Sequence, residues 1–351
     1  MPVLHTTLGR RCASAVILLL AGAGQAILHA PRALADDSGT YAVFDTVFLQ
    51  RWNAAADQPL VFNGAAANAP VAVSVRDMHF PVQPGIRLFV GDVDECGRGW
   101  EVGYLGVWGM FADAEATAAG TLRAPDPLAL QPNTGLNDAS FARATYSSSL
   151  NSAEANLFLR DADTGYDRRS GRPWQRCEGY VQGRVDWLAG FRWAGLDESA
   201  TVSYAPATPP VPTAYAVQSS SNLFGVQVGA RGRMEWERWA VEGWAKTALA
   251  GAERSQSQSP IVDAADGGLI RSAGASRDGG VGFIGDMTAS VIYKLSDTWG
   301  LRAGYNLLWI SGVALAPDQF TFAALPAGST TISANSTAFL HGASLGLEAR
   351  W

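Results

Sequence analysis

The sequence predicts an all-β fold: a transmembrane, antiparallel, up-and-down β-barrel of about ten strands, within a range of roughly eight to twelve. Three observations predict it. Segments of alternating hydropathy recur along the chain, long and tight connections alternate between them, and tryptophans gather at the segment ends.

Residues 1–35 read as a secretory signal. Arg10 and Arg11 precede an apolar run from Ala13 to Leu28, and Ala33-Leu34-Ala35 offers small residues at the cleavage spacing, so cleavage is expected after Ala35. Cys12 lies before the apolar run and is poorly placed for lipidation. Residues 36–351 then form one outer-membrane barrel domain. The signal holds three of the 26 Lys and Arg and no acid, which leaves 23 bases against 32 acids, a net charge of −9. That balance argues against a nucleic-acid partner. No apolar run after the signal approaches the roughly 18 residues a spanning helix needs. Charge is sparse at 17%, while Gly (38) and Trp (12) are abundant, as in an exported barrel.

Ten strands are expected, in order, over Tyr41–Trp52, Gly85–Val93, Gly99–Phe111, Ala144–Arg160, Tyr180–Asp197, Asn222–Trp236, Trp239–Gly251, Gly282–Leu295, Trp299–Gly312 and Phe339–Trp351. In the fifth, Val185, Trp187, Ala189, Phe191 and Trp193 oppose Arg184, Asp186 and Arg192. In the ninth, Leu301, Ala303, Tyr305, Leu307 and Trp309 oppose Arg302, Gly304 and Asn306. The last strand sets Phe339, Ala343, Leu345, Leu347, Ala349 and Trp351 against Gly342, Ser344, Gly346, Glu348 and Arg350. A face carrying Glu348 and Arg350 cannot meet lipid, so the apolar face does. The first three strands alternate less cleanly.

The connections after strands two, six and eight are tight: Asp94–Arg98, Glu237-Arg238 and Ser296–Thr298. Those after the odd strands read as long and rich in Ala, Ser, Pro and Gly. Turns on one rim and loops on the other are the asymmetry of outer-membrane barrels, with the turns periplasmic. Asp161–Gly179 departs from this parity, being long where a turn is expected. Trp100, Trp236, Trp239, Trp299 and Trp351 fall at the tight-turn ends, and Trp52, Trp193 and Trp309 towards the long-loop ends, which gives two aromatic girdles at the headgroup levels. The bare aromatic carboxy-terminus resembles the signal by which such barrels are recognised for insertion. Outer-membrane lipid and the barrel-assembly machinery are therefore the expected partners.

Several segments resemble one family. They are Val185-Asp-Trp-Leu-Ala-Gly-Phe-Arg-Trp-Ala-Gly-Leu-Asp-Glu198, Gly85-Ile-Arg-Leu-Phe-Val-Gly91, Ala153-Glu-Ala-Asn-Leu157, Phe224-Gly-Val-Gln-Val-Gly229 and Arg302-Ala-Gly-Tyr-Asn-Leu-Leu-Trp309, with Pro317-Asp318-Gln319 after the ninth strand. Taken in chain order they resemble the planctomycete outer-membrane barrels called beta-barrel porin family seven, whose Arg-Pro-Gly-Asp-Gln run after the ninth strand is here only Pro317-Asp318-Gln319. The resemblance implies a bacterial outer-membrane barrel and lends no catalytic residues.

The inward faces carry both signs of charge. Arg87, Arg184, Arg192, Arg231, Arg233, Lys246, Lys294, Arg302 and Arg350 meet Asp45, Glu101, Glu154, Asp186, Glu235, Glu242, Asp286 and Glu348. One reading is a water-filled, weakly selective channel. The other is a narrow lumen whose ion pairs neutralise each other and close it, which ten strands favour because they lie near the packed eight-stranded size. A surface-binding or adhesion barrel acting through its long loops stays open as an alternative. No enzyme, cofactor or metal is expected. His79 lies beside Asp77 without a nucleophile at a recognisable spacing, and His341 falls on the apolar face of the last strand. Asp161, Asp163, Gly165 and Asp167 resemble a calcium loop, but Arg172 stands where its closing Glu belongs. Cys96 and Cys177 share the periplasmic rim, where they either form a disulfide or stay as free thiols.

Overall fold

A computed structural model describes residues 39–66, 68–94, 97–130, 135–161, 182–207, 212–263, 267–323 and 331–351. The expected signal, both candidate disulfide cysteines and the stretch from Asp163 to Arg172 lie outside these residues.

Ten long antiparallel strands make the wall among the described residues. They are β1 (Gly39–Trp52), β2 (Gln83–Val93), β3 (Arg98–Arg123), β4 (Ala139–Asp161), β5 (Gln182–Pro206), β6 (Thr213–Glu235), β7 (Trp239–Gln258), β8 (Gly274–Lys294), β9 (Trp299–Val313) and β10 (Ser336–Arg350). Each strand pairs with its sequence neighbour except across one seam, where β1 lies between β2 and β10 and joins the ends of the chain. There Tyr41 faces Arg350 and Trp52 faces Phe339. Thr40 and Trp351 exchange both backbone hydrogen bonds at 3.0 Å, and the pairing of β3 with β4 leaves no gap in the ring. A closed barrel satisfies every ladder group internally, which the hydrocarbon interior requires.

The strands reach further outward than hydropathy alternation suggested. β3 continues to Arg123, β5 to Pro206 and β7 to Gln258, and β6 begins at Thr213. The connection after β5, expected to be long, is only 207–212. The cause is a reversal of the pattern along each strand. On the membrane stretch of β6, Phe224, Val226 and Val228 point out while Gln227, Arg231 and Arg233 are buried. Above it, on the same parity tracks, Gln218 and Ser220 point out while Tyr215, Val217 and Leu223 are buried. Lipid outside and a polar, charged filling inside give way to water outside and an apolar filling inside. We take 153–159, 185–193, 224–234 and 239–249 as the spanning parts of β4 to β7.

The imperfect alternation of β3 has a local cause. Gly109, at φ +69°, sits where the β3–β4 register shifts between Val107 and Met110. This bulge exchanges the parity of inward and outward residues, so Trp108 and Phe111 both face out.

Two loops fold back into the outer mouth. The first, 53–82, carries the short strands Pro59–Asn63 and Val71–Ser74 and the 3-10 turn Val75–Asp77. The second follows β9 and carries the 3-10 turn Pro317–Gln319. Leu60, Val61, Val75, Met78 and Phe80 from the first, and Leu315, Phe320 and Phe322 from the second, join the inward residues of the tall strands in one apolar core.

Candidate functional site

The interior is the part of a barrel that decides what passes, and this one has two layers. In the periplasmic half every strand contributes at least one charge: Asp45, Arg87, Glu101, Glu154, Arg192, Arg231, Lys246, Asp286, Arg302 and Glu348, from β1 to β10 in turn. Together with Arg184, Asp186, Arg233 and Glu242 they are all buried. Strand alternation aims them at one axis, where like charges would repel and opposite charges close over one another.

The contacts run as chords across the ring. Lys246 on β7 donates to Glu154 on β4 at 2.7 Å and to Glu101 on β3 at 3.3 Å. Arg231 on β6 reaches Glu101 at 2.8 Å while its other edge grips Asp186 at 3.0 and 3.1 Å. Arg192 on β5 meets Asp286 on β8 at 2.9 Å. Arg233 crosses from β6 to Glu348 on β10 at 3.0 Å, and Arg302 joins the same carboxylate at 2.6 Å and Glu242 at 3.0 Å. Arg87 donates to Asp45 at 2.6 Å and to Asn306 at 2.5 Å. These are charge-assisted bonds, shorter and stronger than neutral ones.

Aromatic rings fill what the ion pairs leave. Arg231 lies 5.0 Å from the Phe158 ring, Lys246 4.6 Å from Phe89, and Arg87 4.8 Å from Trp244. Phe89 fits because position 103 is glycine: a Cβ there would come within 2.3 Å of its ring. Trp244 is therefore an inward tryptophan, unlike those of the girdles.

The outer layer is apolar, pinned by buried polar nodes. Glu198 pairs with Arg51 at 2.5 Å and accepts from the Tyr146 hydroxyl at 2.8 Å and the Ala316 amide at 2.9 Å, so it ties the second loop to the wall. Gln319 donates to Leu315 and Ser333 carbonyls at 3.0 and 2.8 Å and accepts from the Ser333 amide at 2.9 Å. Asp318 accepts from the Ala56 amide at 2.7 Å and joins the two loops. Tyr204 donates to the Leu60 carbonyl at 2.5 Å, and the Tyr215 hydroxyl accepts from the Thr321 amide at 3.1 Å. Burial pushes the phenols of Tyr146, Tyr204 and Tyr215 above their ordinary range, so all three stay protonated.

Trp52, Trp100, Trp236, Trp239, Trp299 and Trp351 are exposed on the outer wall, with Trp193 and Trp309 half-buried beside them. Trp187 and Trp108 share that surface and were absent from the expected girdles. His341 accompanies them, its Nδ1 2.7 Å from the Tyr305 hydroxyl. His79 stands exposed in the first loop.

The family profile described as "Putative beta barrel porin-7" matches residues 142–351, more than half of the sequence. The chain belongs to this family. No curated protein matches it. Among solved structures, the outer membrane protease OmpT from Escherichia coli aligns at 9% identity and a TM-score of 0.49, covering 92% of this chain and 99% of that one. The Ralstonia pickettii toluene transporter TbuX aligns at 10% identity and a TM-score of 0.20, covering 90% of each chain. A Pseudomonas aeruginosa FadL homologue aligns at 8% identity and 0.20, again covering 90% of each.

In this porin-7 barrel, the sequence pointed to the charged floor, but the apolar mouth went unread. Its signal was present: Tyr146, Tyr204 and Tyr215 stand among serines and alanines at inward parity. The Pro317-Asp318-Gln319 segment, read only as a family fragment, holds the second loop in place.

Proposed function

We propose that this outer-membrane barrel is closed along its axis and acts as a structural surface barrel, not as an open pore. The observation that carries the reading is the double filling: cross-barrel ion pairs below, and above them an apolar core into which the loops after β1 and β9 fold. A water-filled path would need the two layers to part together, and each is held by buried polar contacts. The same reading gives the chain no reaction: His341 meets the Tyr305 hydroxyl on the outer wall, away from the filled interior, and His79 stands exposed in the first loop. Planar-bilayer recording of the purified protein tests it. The expected trace stays near the baseline, and steady, well-resolved conductance steps would overturn the proposal.

A second reading, a surface-binding barrel, is favoured by one feature. β4 to β8 rise well beyond the spanning residues and carry a solvated outer wall that the bilayer alone does not require.

A further inference from the structure

On that raised wall the outward residues of five strands line up across the sheet. One row is Ser147, Ser199, Gln218, Ser257 and Ala275; the row nearer the membrane is Ser149, Asp197, Ser220, Ser255 and Arg277. These residues line a groove of about 750 Å³. Short hydroxyl side chains keep its floor low, while the longer Gln218 and Arg277 stand above it. The carboxylate of Asp197 lies near one end, accepting from Ser220 Oγ at 2.6 Å, and Arg277 marks the other.

At the membrane-side margin, Trp193 folds over Gly195, where a Cβ would meet the indole at 2.8 Å. Its Nε1 is held by Asn222 at 3.1 Å. The ring is therefore fixed between the lipid-facing surface of β5 and the polar floor above it.

We propose that this groove binds the sugar headgroup of an outer-leaflet glycolipid. Three features point to a saccharide. Planar carboxylate and guanidinium groups can each engage two neighbouring hydroxyls at once. A serine and glutamine floor offers donors and acceptors of both kinds. A fixed indole offers an apolar face to the C–H side of a sugar ring. The opposite charges of Asp197 and Arg277 balance, which suits a neutral ring better than a phosphate. Position chooses the source. The groove begins four residue pairs above Trp193 and Phe224, with only Gly195 and Asn222 facing out between, and the Trp193 ring covers that step; an acyl chain lying on the lipid-facing band therefore brings its headgroup to the groove. The inference does not depend on whether the lumen conducts.

Native mass spectrometry of the detergent-purified barrel tests it with three probes: lipopolysaccharide bearing core sugars, phosphatidylglycerol, and the soluble core oligosaccharide released from that lipopolysaccharide. The wild type should retain the lipopolysaccharide. The S220L/S255L double variant, which fills the exposed floor without touching the interior, should lose about tenfold in retention, and R277A should weaken it separately. Heat-modifiable gel migration confirms that each variant is folded. Retention unchanged in folded S220L/S255L would overturn the proposal. So would equal retention of phosphatidylglycerol, and binding of the free oligosaccharide as tight as that of the glycolipid would overturn the assignment to a lipid headgroup.

Discussion

At the scale of single residues, the floor is governed by the cost of a buried charge without its partner. Asp186 is gripped by the Nε–Nη2 edge of Arg231, whose Nη1 donates to Glu101 and Tyr41. Asp186→Ala leaves that guanidinium under-compensated and should lower stability by about 3 kcal/mol, read as a lower urea midpoint. A barrel whose midpoint does not move would mean that water solvates the interior. At the periplasmic rim, Glu235 sits between Arg233 at 2.5 Å and Lys294 at 2.6 Å. Burial raises its pKa, but these two cations outweigh burial and hold it down at about 2 instead of 4.5. A depressed folded-state pKa contributes stability that is complete above 4.5 and lost as pH falls towards about 2. Glu235→Gln should therefore flatten the acid limb of the stability profile over that window. Urea midpoints measured at neutral pH and within the window check it, and parallel acid limbs would show that the pair contributes nothing there.

At the scale of elements, two pieces close the molecule. β10 completes the ring, its lipid face formed by Leu345, Leu347 and the terminal Trp351, whose backbone clasps Thr40. Deleting Trp351, or replacing Leu347 and Trp351 by Ser, removes an interfacial anchor and part of the apolar face. The mature protein should then disappear from the outer-membrane fraction; undiminished yield with normal heat-modifiable migration would contradict this role. The second piece is the loop after β9. Gln319 is buried and its amide spans the loop from Leu315 to Ser333. Gln319→Ala leaves the Leu315 and Ser333 carbonyls without their donor, and should cost about 1–3 kcal/mol with faster protease nicking between β9 and β10.

At the scale of the whole molecule, the two layers act in series, and a path opens only when both fail. The pair R231A/E101A removes chords from the floor, and D318A/Q319A loosens the mouth. Each double variant alone should stay near zero conductance, and only the four-fold variant should show steps in a planar bilayer. Steps from the floor variant alone would mean that the mouth does not seal. Tall strands on one side, β3 to β8, and short ones on the other explain why a seal is needed: the low wall at β9, β10, β1 and β2 leaves the mouth open until the two loops cover it.

The sequence by itself determined the barrel, its strand number to within about two, and the charged track facing inward, because these follow from a period of two read against lipid. Phe191 next to Arg192, or Leu347 next to Glu348, leaves no other assignment of faces. It also marked the tight turns, since Asp94–Arg98 and Glu237-Arg238 interrupt alternation abruptly. Where the surroundings of the wall changed, the same rule misread the chain. Above the membrane, water replaces lipid outside and packed loops replace charged side chains inside, so the hydropathy of each track inverts and Ser199, Ser220 and Ser255 look like loop residues. Only the tertiary structure decided that Glu101 would meet both Arg231 and Lys246 across the ring, and that Phe80 and Phe320 would fill the mouth. Those contacts join residues 130 and more positions apart, and no local periodicity encodes which chords of a closed ring will form.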